Sequence, residues 1–230
     1  MKFKTGIVSL DAQLNGGFPK SSVILILEDP GAGGDVFSFH FAVEGVKNNE
    51  RVLYIATDDT EEEIRENIRL YFPEDYVEKI EVVSLVISEL KERDIRKYLR
   101  NTMYDPIRYV ISIITSNNFD RVVVNNLTYF ISNYEFKDVL TLMENFSKCA
   151  KRDDSVYLLL MTKGMFDSKV ETAMKHHSDG VIELTLKEEG NEIQRMLKFI
   201  KFKRIFVPKA IMRYDLTDKG IRVESVMRIV

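Results

Sequence analysis

One glycine-rich turn constrains the fold of this chain more than any other stretch of its sequence. The turn reads Glu28-Asp29-Pro30-Gly31-Ala32-Gly33-Gly34-Asp35. It follows an apolar run over residues 22–27 and precedes a helical pattern over residues 36–47. Strand, glycine turn and helix in this order are the layout of a phosphate-binding loop, whose backbone N–H groups cradle phosphate. The apolar run predicts a strand that is covered on both faces, as in a parallel sheet.

The side chains that such a loop uses are missing from the turn. A working loop carries a lysine that reaches the outer phosphates and a Ser or Thr whose hydroxyl holds magnesium. Here Gly34 holds the lysine position, Asp35 the hydroxyl position and Glu28 the position of the opening glycine. Two unit charges about 4 Å apart repel by roughly 4 kcal/mol at a dielectric of about 20. The acidic residues therefore oppose a bound polyphosphate, and a second interpretation is that the glycines serve tight strand-to-helix packing alone.

Composition and charge argue against several classes of function. The 230 residues contain 33 Lys and Arg against 36 Asp and Glu, and this formal net charge of -3 gives no global argument for nucleic acid or membrane. The single cysteine, Cys149, cannot form an internal disulfide and gives no zinc cluster. No apolar run reaches membrane-spanning length, and no signal-type apolar core follows Met1. We therefore expect one cytoplasmic domain over residues 1–230, without a bound metal, a membrane or nucleic acid.

The rest of the chain alternates strand and helix patterns before it ends in hairpins. Strands are predicted over residues 23–27, 51–56, 81–86, 121–124 and 156–161. Helices are predicted over residues 10–14 (capped by Ser9), 36–47, 61–71 (capped by Thr60), 88–100, 106–116 and 134–151, with a short one ending at Lys175. Hairpins are predicted over residues 180–203 and 211–226. The order predicts an α/β fold with a mainly parallel twisted sheet, flanking helices and antiparallel C-terminal strands.

Several short motifs together resemble the KaiC-like branch of the RecA-like ATPase superfamily. The family's opening motif is similar to Thr5-Gly6, Leu10-Asp11, Leu14, Gly16-Gly17 and Pro19, and the middle of its phosphate loop to Pro30-Gly31-Ala32-Gly33. A strand that ends in two glutamates corresponds to residues 54–59, a DGVI motif to residues 179–182 and a closing motif to residues 216–221. The order and spacing of these motifs cover nearly the whole chain, and the resemblance implies a RecA-like fold.

The departures from the family pattern fall on the residues that carry the family's chemistry. By resemblance, Pro30, Gly31, Ala32, Gly33, Gly34 and Asp35 form a degenerate phosphate loop, Asn125 replaces the Walker B acid of the magnesium shell, and Asp58 and Asp59 replace the glutamate pair that activates water. Aspartate is one methylene shorter than glutamate, which matters for a general base that must come within roughly 2.6–3.2 Å of its proton. Asp58 and Asp59 are therefore either vestigial catalytic residues or acidic residues at a helix start, where the dipole favours them.

The resemblance also assigns a role to two lysines near the C-terminus. Lys201 and Lys203 stand where the family has a lysine and an arginine that touch the outer phosphate of a neighbouring subunit. Their spacing puts both side chains on one face of a strand, although lysine lacks the bidentate fork of arginine. The other interpretation is a solvated basic strand edge, which protects a sheet against edge-to-edge aggregation.

The combined loss of lysine, hydroxyl and acid predicts a catalytically inactive KaiC-like protein with a regulatory or assembly role and no bound cofactor. The expected partner is a further copy of the chain or a related RecA-fold subunit. One alternative is an unconventional ATP-binding protein or weak ATPase, in which Asp35 holds Mg²⁺ and Lys201 or Lys203 of a neighbour supplies positive charge. Another alternative is a recombinase paralogue that binds single-stranded DNA, with an affinity that falls steeply with salt.

Overall fold

Parallel and antiparallel strands meet in one sheet of the computed structural model, which describes residues 2–86, 105–207, 209 and 211–224. The strands are β1 (Lys2–Phe3), β2 (Phe18–Pro19), β3 (Ser22–Glu28), β4 (Val52–Ala56), β5 (Glu81–Ser84), β6 (Arg121–Asn125), β7 (Val156–Thr162), β8 (Gly180–Glu189), β9 (Glu192–Phe202), β10 (Met212–Thr217) and β11 (Gly220–Val223). The described part of the large sheet has the order β11-β10-β9-β8-β3-β7-β6-β4-β5. Pairing is parallel from β8 to β5 and antiparallel from β8 to β11, while β1 and β2 form a separate antiparallel pair. The predicted fold class is therefore confirmed.

Helices pack on both faces of this sheet. They are α1 (Val8–Gln13), α2 (Gly34–Lys47), α3 (Glu61–Arg69), α4 (Glu74–Val77), α5 (Pro106–Ser116), α6 (Leu127–Asn133), α7 (Phe136–Arg152) and α8 (Ser168–His177). Alternate residues of β3 enter different cores: Ile24 and Ile26 pack with α2 and α3, whereas Val23, Leu25 and Leu27 pack with α5 and α7. Since both faces of β3 are covered, its sequence is apolar at every central position. Within the described ranges, no helix has both the length and the apolar character needed to cross a membrane.

Some predicted element boundaries are wrong, and each error has a local cause. The sequence predicted no helix over residues 127–133, but Asn126 starts α6 there by accepting a hydrogen bond from the Thr128 N–H at 2.9 Å. The next helix accordingly starts at Phe136. Ser9 does not cap α1, because the helix already begins at Val8. The Thr60 cap of α3 is confirmed, and the helix predicted over residues 88–100 lies outside the described residues.

The sheet order decides which predicted site residues can meet. The strands β3, β4 and β6 run parallel, so their carboxyl ends lie at one edge of the sheet, where α/β proteins commonly bind ligands. This edge carries the glycine turn after β3, Asp58 and Asp59 after β4, and Asn125 at the end of β6. Lys201 and Lys203 lie at the other edge, because Phe202 pairs with Gly180 at the start of β8.

Candidate functional site

The glycine turn of residues 29–33 carries the chain from β3 into α2. Gly31 and Gly33 have φ values of 85° and 94°, in the left-handed region that favours glycine. A Cβ atom on Gly33 would lie 2.8 Å from Cδ2 of Leu216, which packs on the turn from β10. The Tyr214 hydroxyl, also on β10, donates a hydrogen bond to the carbonyl oxygen of Ala32 at 2.6 Å. The C-terminal strands therefore hold the turn in a defined shape.

The carboxylate of Glu28 caps the amino end of α2. Its Oε2 accepts a hydrogen bond from the backbone N–H of Gly34 at 2.7 Å. A Cβ atom at position 34 would lie 2.4 Å from Oε1 of Glu28, so residue 34 has room for a side chain only if Glu28 moves. Helix amino ends attract anions because their first N–H groups are unpaired and the helix dipole is positive there. Here the chain supplies that anion itself.

Glu28 is poorly compensated as a charge in this position. Burial, and to a smaller extent the charges of Asp35 and Asp29, raise the pKa of Glu28 to about 7, although the hydrogen bond from the Gly34 N–H lowers it. The Oδ2 atom of Asp29 accepts a hydrogen bond from the Leu186 N–H at 2.9 Å. The cluster is therefore acidic and partly buried, which is unlike a site built for a polyphosphate.

Asp35 belongs to a polar network that joins α2 to β4 and β6. The side-chain amide of Asn125 donates hydrogen bonds to Oδ1 of Asp35 and to the hydroxyl oxygen of Tyr54, both at 2.9 Å. The Tyr54 hydroxyl also hydrogen-bonds the Ser38 hydroxyl at 2.9 Å. Burial raises the pKa of Asp35, and the bond from Asn125 lowers it in part. The end of β6 thus carries an amide at Asn125, while the start of α2 carries a carboxylate at Asp35.

Asp58 and Asp59 lie beside this network at the end of β4. The Thr57 hydroxyl donates a hydrogen bond to Oδ2 of Asp58 at 2.8 Å. Burial raises the pKa of Asp59, and the charges of Asp35, Glu63 and Asp58 raise it further. Neither aspartate caps α3, because Thr60 is the cap. The Thr60 hydroxyl accepts a hydrogen bond from the Glu63 N–H, and the Glu63 carboxylate accepts one from the Thr60 N–H. The Asp59 carboxylate therefore lies close enough to Asp35 of α2 for their charges to interact, and a catalytic role for Asp58 and Asp59 stays a prediction.

Lys201 and Lys203 make contacts within their own chain. The Lys201 ammonium donates to the carbonyl oxygens of Lys175, His176 and Ser178, at 2.9, 3.1 and 2.7 Å. The Lys203 ammonium pairs with Oδ1 of Asp179 at 2.8 Å. Lys201 therefore stabilises the carboxyl end of α8, which is a favourable place for a cation. Whether either lysine also contacts a neighbouring subunit stays a prediction.

The sequence analysis identified the acidic residues of the turn but missed their hydrogen-bond partners. It treated Glu28 as a charge that opposes phosphate and did not predict that Glu28 accepts a hydrogen bond from the Gly34 N–H. Tyr54 and Ser38 were missed as partners of Asn125. One signal was available for Ser38, because it stands one helical turn after Asp35 and so lies on the same face of α2.

Comparisons with known protein families, curated proteins and solved structures all find similarity to KaiC-like proteins. The model of the KaiC ATPase family matches residues 3–227. A UPF0273 protein of Pyrococcus furiosus is 27% identical over 237 residues, which cover 96% of this chain and 93% of that protein. The circadian clock oscillator protein KaiC of Thermostichus vulcanus is 23% identical over 99% of this chain, which spans 43% of the clock protein. The crystal structure of a KaiC-like protein from Pyrococcus horikoshii has a TM-score of 0.77 at 17% identity and covers 98% of this chain and 99% of its own, which shows a shared fold.

Proposed function

Because the chain belongs to the KaiC family of ATPases, we propose that it is a member that does not hydrolyse ATP and acts as a regulatory or assembly subunit. The observation that carries this proposal is the hydrogen bond from the Gly34 N–H to the Glu28 carboxylate. A phosphate loop offers that N–H to the nucleotide. In this chain a tethered carboxylate already occupies it, and the lysine that would attract phosphate is replaced by glycine.

The surroundings of the turn also fail to fit magnesium and a triphosphate. Asp35 adds a repulsion of roughly 4 kcal/mol for each phosphate charge about 4 Å away, at a dielectric of about 20. Lys163 follows β7 near Asp29, but its ammonium pairs with Oε1 of Glu183 at 2.9 Å. The helix dipole at the start of α2 offsets roughly 1 kcal/mol. The repulsive contributions exceed the attractive ones, so the proposed role involves no step through ATP.

The proposed partner is a second copy of this chain or a related RecA-fold subunit. The connection between β9 and β10 exposes large apolar side chains, with Phe206 96% and Ile211 54% exposed. Exposed apolar side chains that cluster on one connection are typical of protein-protein contacts. Analytical ultracentrifugation without nucleotide should therefore give a species larger than the monomer. A monomer at all accessible concentrations would contradict the assembly role and leave the prediction about hydrolysis standing.

The absence of hydrolysis is tested with the wild-type protein and a restored variant. We expect no turnover of ATP with Mg²⁺ above the buffer rate and no calorimetric heat of ATP binding. The restored variant combines Glu28→Gly, Gly34→Lys and Asp35→Thr, which returns the glycine, the lysine and the hydroxyl to the turn. We expect this variant to bind ATP, because it removes two negative charges and adds one positive charge.

A matched control tests whether the lysine alone restores ATP binding. Gly34→Lys alone should not bind ATP, because Glu28 remains beside the new side chain. Turnover by the wild type that Asp59→Asn abolishes would end the proposal. It would favour the unconventional ATPase instead.

One observation favours that second candidate function. The Asp35 carboxylate lies within hydrogen-bond distance of Asn125, and carboxylate oxygens suit Mg²⁺. The in-trans part of this alternative would require Lys201 or Lys203 to leave its contacts within the chain. It predicts turnover that rises more steeply than protein concentration, and Lys201→Met or Lys203→Met should abolish that activity.

A further inference from the structure

We propose that two different surfaces of this chain bind each other between copies, in a head-to-tail contact. The basic surface consists of residues 203–207, 209 and 211, in the connection between β9 and β10. The acidic surface consists of α3 and α4, over residues 61–78. The inference rests on the proposed assembly role and deepens it, because it assigns the contact with a second copy to two defined surfaces.

The basic surface combines positive charge with exposed apolar side chains. The stretch of residues 195–213 contains seven Lys and Arg and no Asp or Glu. Within it, Phe206 is almost fully exposed. Arg204 donates a hydrogen bond to the carbonyl oxygen of Lys20 at 3.1 Å, and neither Arg204 nor Lys209 has a carboxylate partner among the described residues. An aromatic ring in water beside cations is typical of a protein-protein interface, where aromatic residues and arginine are enriched.

The acidic surface has the opposite charge and an exposed apolar side chain of its own. The stretch of residues 58–81 contains ten Asp and Glu against three Lys and Arg. Glu62, Glu66 and Leu70 follow one another at intervals of four residues, so they lie along one face of the α3 end of this surface. Leu70 is 69% exposed. Arg65 and Arg69 pair with other carboxylates, so Glu66 has no cation partner in the part of the chain that the structure describes.

The two surfaces lie too far apart to bind each other within one molecule. The basic surface follows β9 and the acidic surface follows β4, and these strands are five positions apart in the sheet order. At about 4.8 Å per strand, this separation is roughly 24 Å. Each surface is therefore left for a second copy. Because the two surfaces differ, their contact leaves one of each free at the ends of a pair, which builds a ring or a filament and not a twofold dimer.

The apolar and the charged residues contribute differently to such a contact. Burial of Phe206 and Leu70 removes apolar area from water and provides most of the affinity. The opposite charges around them guide the two copies together and exclude contacts between like surfaces, because like charges repel. The loss of either apolar side chain should therefore weaken assembly strongly, whereas salt should weaken it to a smaller extent.

Complementation between two variants tests the head-to-tail contact. Phe206→Asp disrupts the basic surface and Leu70→Asp the acidic surface, and each variant keeps the other surface intact. In analytical ultracentrifugation without nucleotide, each variant alone should have a dissociation constant at least about thirtyfold above that of the wild type. An equimolar mixture should form a dimer and nothing larger, because the one intact contact joins Phe206 of the second variant to Leu70 of the first.

The control for an added surface charge is Met165→Asp, which changes an exposed apolar residue outside both surfaces and should assemble like the wild type. Circular dichroism checks that all three variants are folded. Assembly that persists in Phe206→Asp or in Leu70→Asp alone, or a mixture that stays monomeric, would overturn the interface and leave the assembly role standing. A wild type that is monomeric would contradict the assembly role and this inference together.

The salt dependence of the wild type provides a test that needs no variant. The dissociation constant should rise about tenfold between roughly 0.05 and 0.5 M NaCl, because salt screens the opposite charges of the two surfaces. A constant that does not rise with salt would overturn the charge complementarity on which the inference depends. A monomeric wild type that binds a single-stranded oligothymidine would assign the basic surface to nucleic acid and would also overturn it.

Discussion

A buried and a partly buried charge, Arg121 and Glu28, are satisfied to different degrees in this molecule. Arg121 starts β6 with its side chain fully buried, pairs with Glu50 and donates to the carbonyl oxygens of Lys4 and Phe41 at 2.6 and 2.8 Å. Its guanidinium also lies 4.5 Å from the ring centroid of Phe41. Glu28 ends β3 with a single N–H as its partner and with two other carboxylates nearby. Arg121 thus has an opposite charge and two carbonyl acceptors, although its Nη2 has no hydrogen-bond partner among the described residues, whereas Glu28 has no cation as a partner there.

This difference separates a charge held by several partners from a carboxyl group with one hydrogen-bond donor. A buried charge with an opposite charge and carbonyl acceptors is costly to disturb, because each removed partner leaves another group unsatisfied. A buried carboxylate without a cation is only marginally favourable in place and can respond to pH. Arg121 joins the N-terminal lead-in to the central sheet, whereas Glu28 lies at the carboxyl ends of the parallel strands. The charge with several partners therefore lies at the amino ends of the parallel strands, and the carboxyl group with one donor lies at their carboxyl ends.

The largest expected effect is the loss of the Arg121 anchor. Arg121→Ala leaves the Glu50 carboxylate and two backbone carbonyls without their partner, so we expect the free energy of unfolding to fall by about 3–5 kcal/mol. Urea denaturation followed by circular dichroism measures this change. The control is Lys20→Met, which removes an ion pair whose side chains are 47% and 58% exposed and should cost less than about 1 kcal/mol. Equal losses in the two variants would erase the distinction between the buried and the exposed pair.

A smaller effect, with a dependence on pH, is expected at Glu28. Its pKa is raised from the ordinary 4.5 to about 7, so the stability that its neutral form contributes is complete below pH 4.5 and is lost as pH rises through 7. This loss amounts to roughly 3 kcal/mol. Glu28→Gln should therefore equal the wild type near pH 4.5 and exceed it by up to that amount at pH 8.5. Urea denaturation at the two pH values gives the comparison.

His40 on α2 is expected to change the stability of the protein with pH in the direction opposite to Glu28. Its Nε2 accepts a hydrogen bond from the Ile221 N–H at 2.9 Å, and burial lowers its pKa from 6.5 to about 4. The stability from neutral His40 is complete above pH 6.5 and is lost as pH falls through 4, which opposes the contribution of Glu28. We expect Glu28→Gln to lose stability on acidification more steeply than the wild type. Parallel pH profiles for the two proteins would contradict the assigned pKa of Glu28.

The smallest effect is expected at Lys201, a partly exposed cation that contacts carbonyl oxygens. Lys201→Met removes the ammonium that stabilises the end of α8, so the free energy of unfolding should fall by about 1–2 kcal/mol. Lys198→Met changes an exposed lysine of the same strand and should stay within about 0.5 kcal/mol of the wild type. Unchanged stability in Lys201→Met would show that these carbonyl contacts do not stabilise the chain. The assignment of Lys201 to a neighbouring subunit would then gain weight.

Much of the fold was predictable because it depends on local patterns. The apolar run of β3, the Thr60 cap of α3 and the proline at the start of α5 each predicted their elements correctly. The family resemblance from short motifs is confirmed by the family model over residues 3–227. The missed helix α6 is short, and its cap by Asn126 was interpreted as the end of the preceding strand. Asparagine is favourable both at turns and at helix starts, so the residue type alone does not distinguish the two.

The candidate site was only partly predictable. The sequence placed Asp35 in the position of the hydroxyl, and the structure adds its bond to Asn125, 90 positions further along the chain. By resemblance, the sequence placed Lys201 where the family has a lysine that touches a neighbouring subunit's phosphate. The structure adds contacts of Lys201 with the end of α8. These contacts depend on which strands are neighbours in the sheet. Residue types and short-range spacing carry no information on that order.

The sequence by itself determined the alternation of strands and helices in the parallel part of the sheet, the family, and the absence of lysine and hydroxyl from the glycine turn. These follow from residue identity and from periodicities over a few residues, which act before any long-range contact forms. Only the tertiary structure decided that Glu28 closes on Gly34 and that Asp35, Tyr54 and Asn125 share one network. The physical reason is that burial and the packing of β3, β4 and β6 beside α2 set which polar groups can satisfy each other.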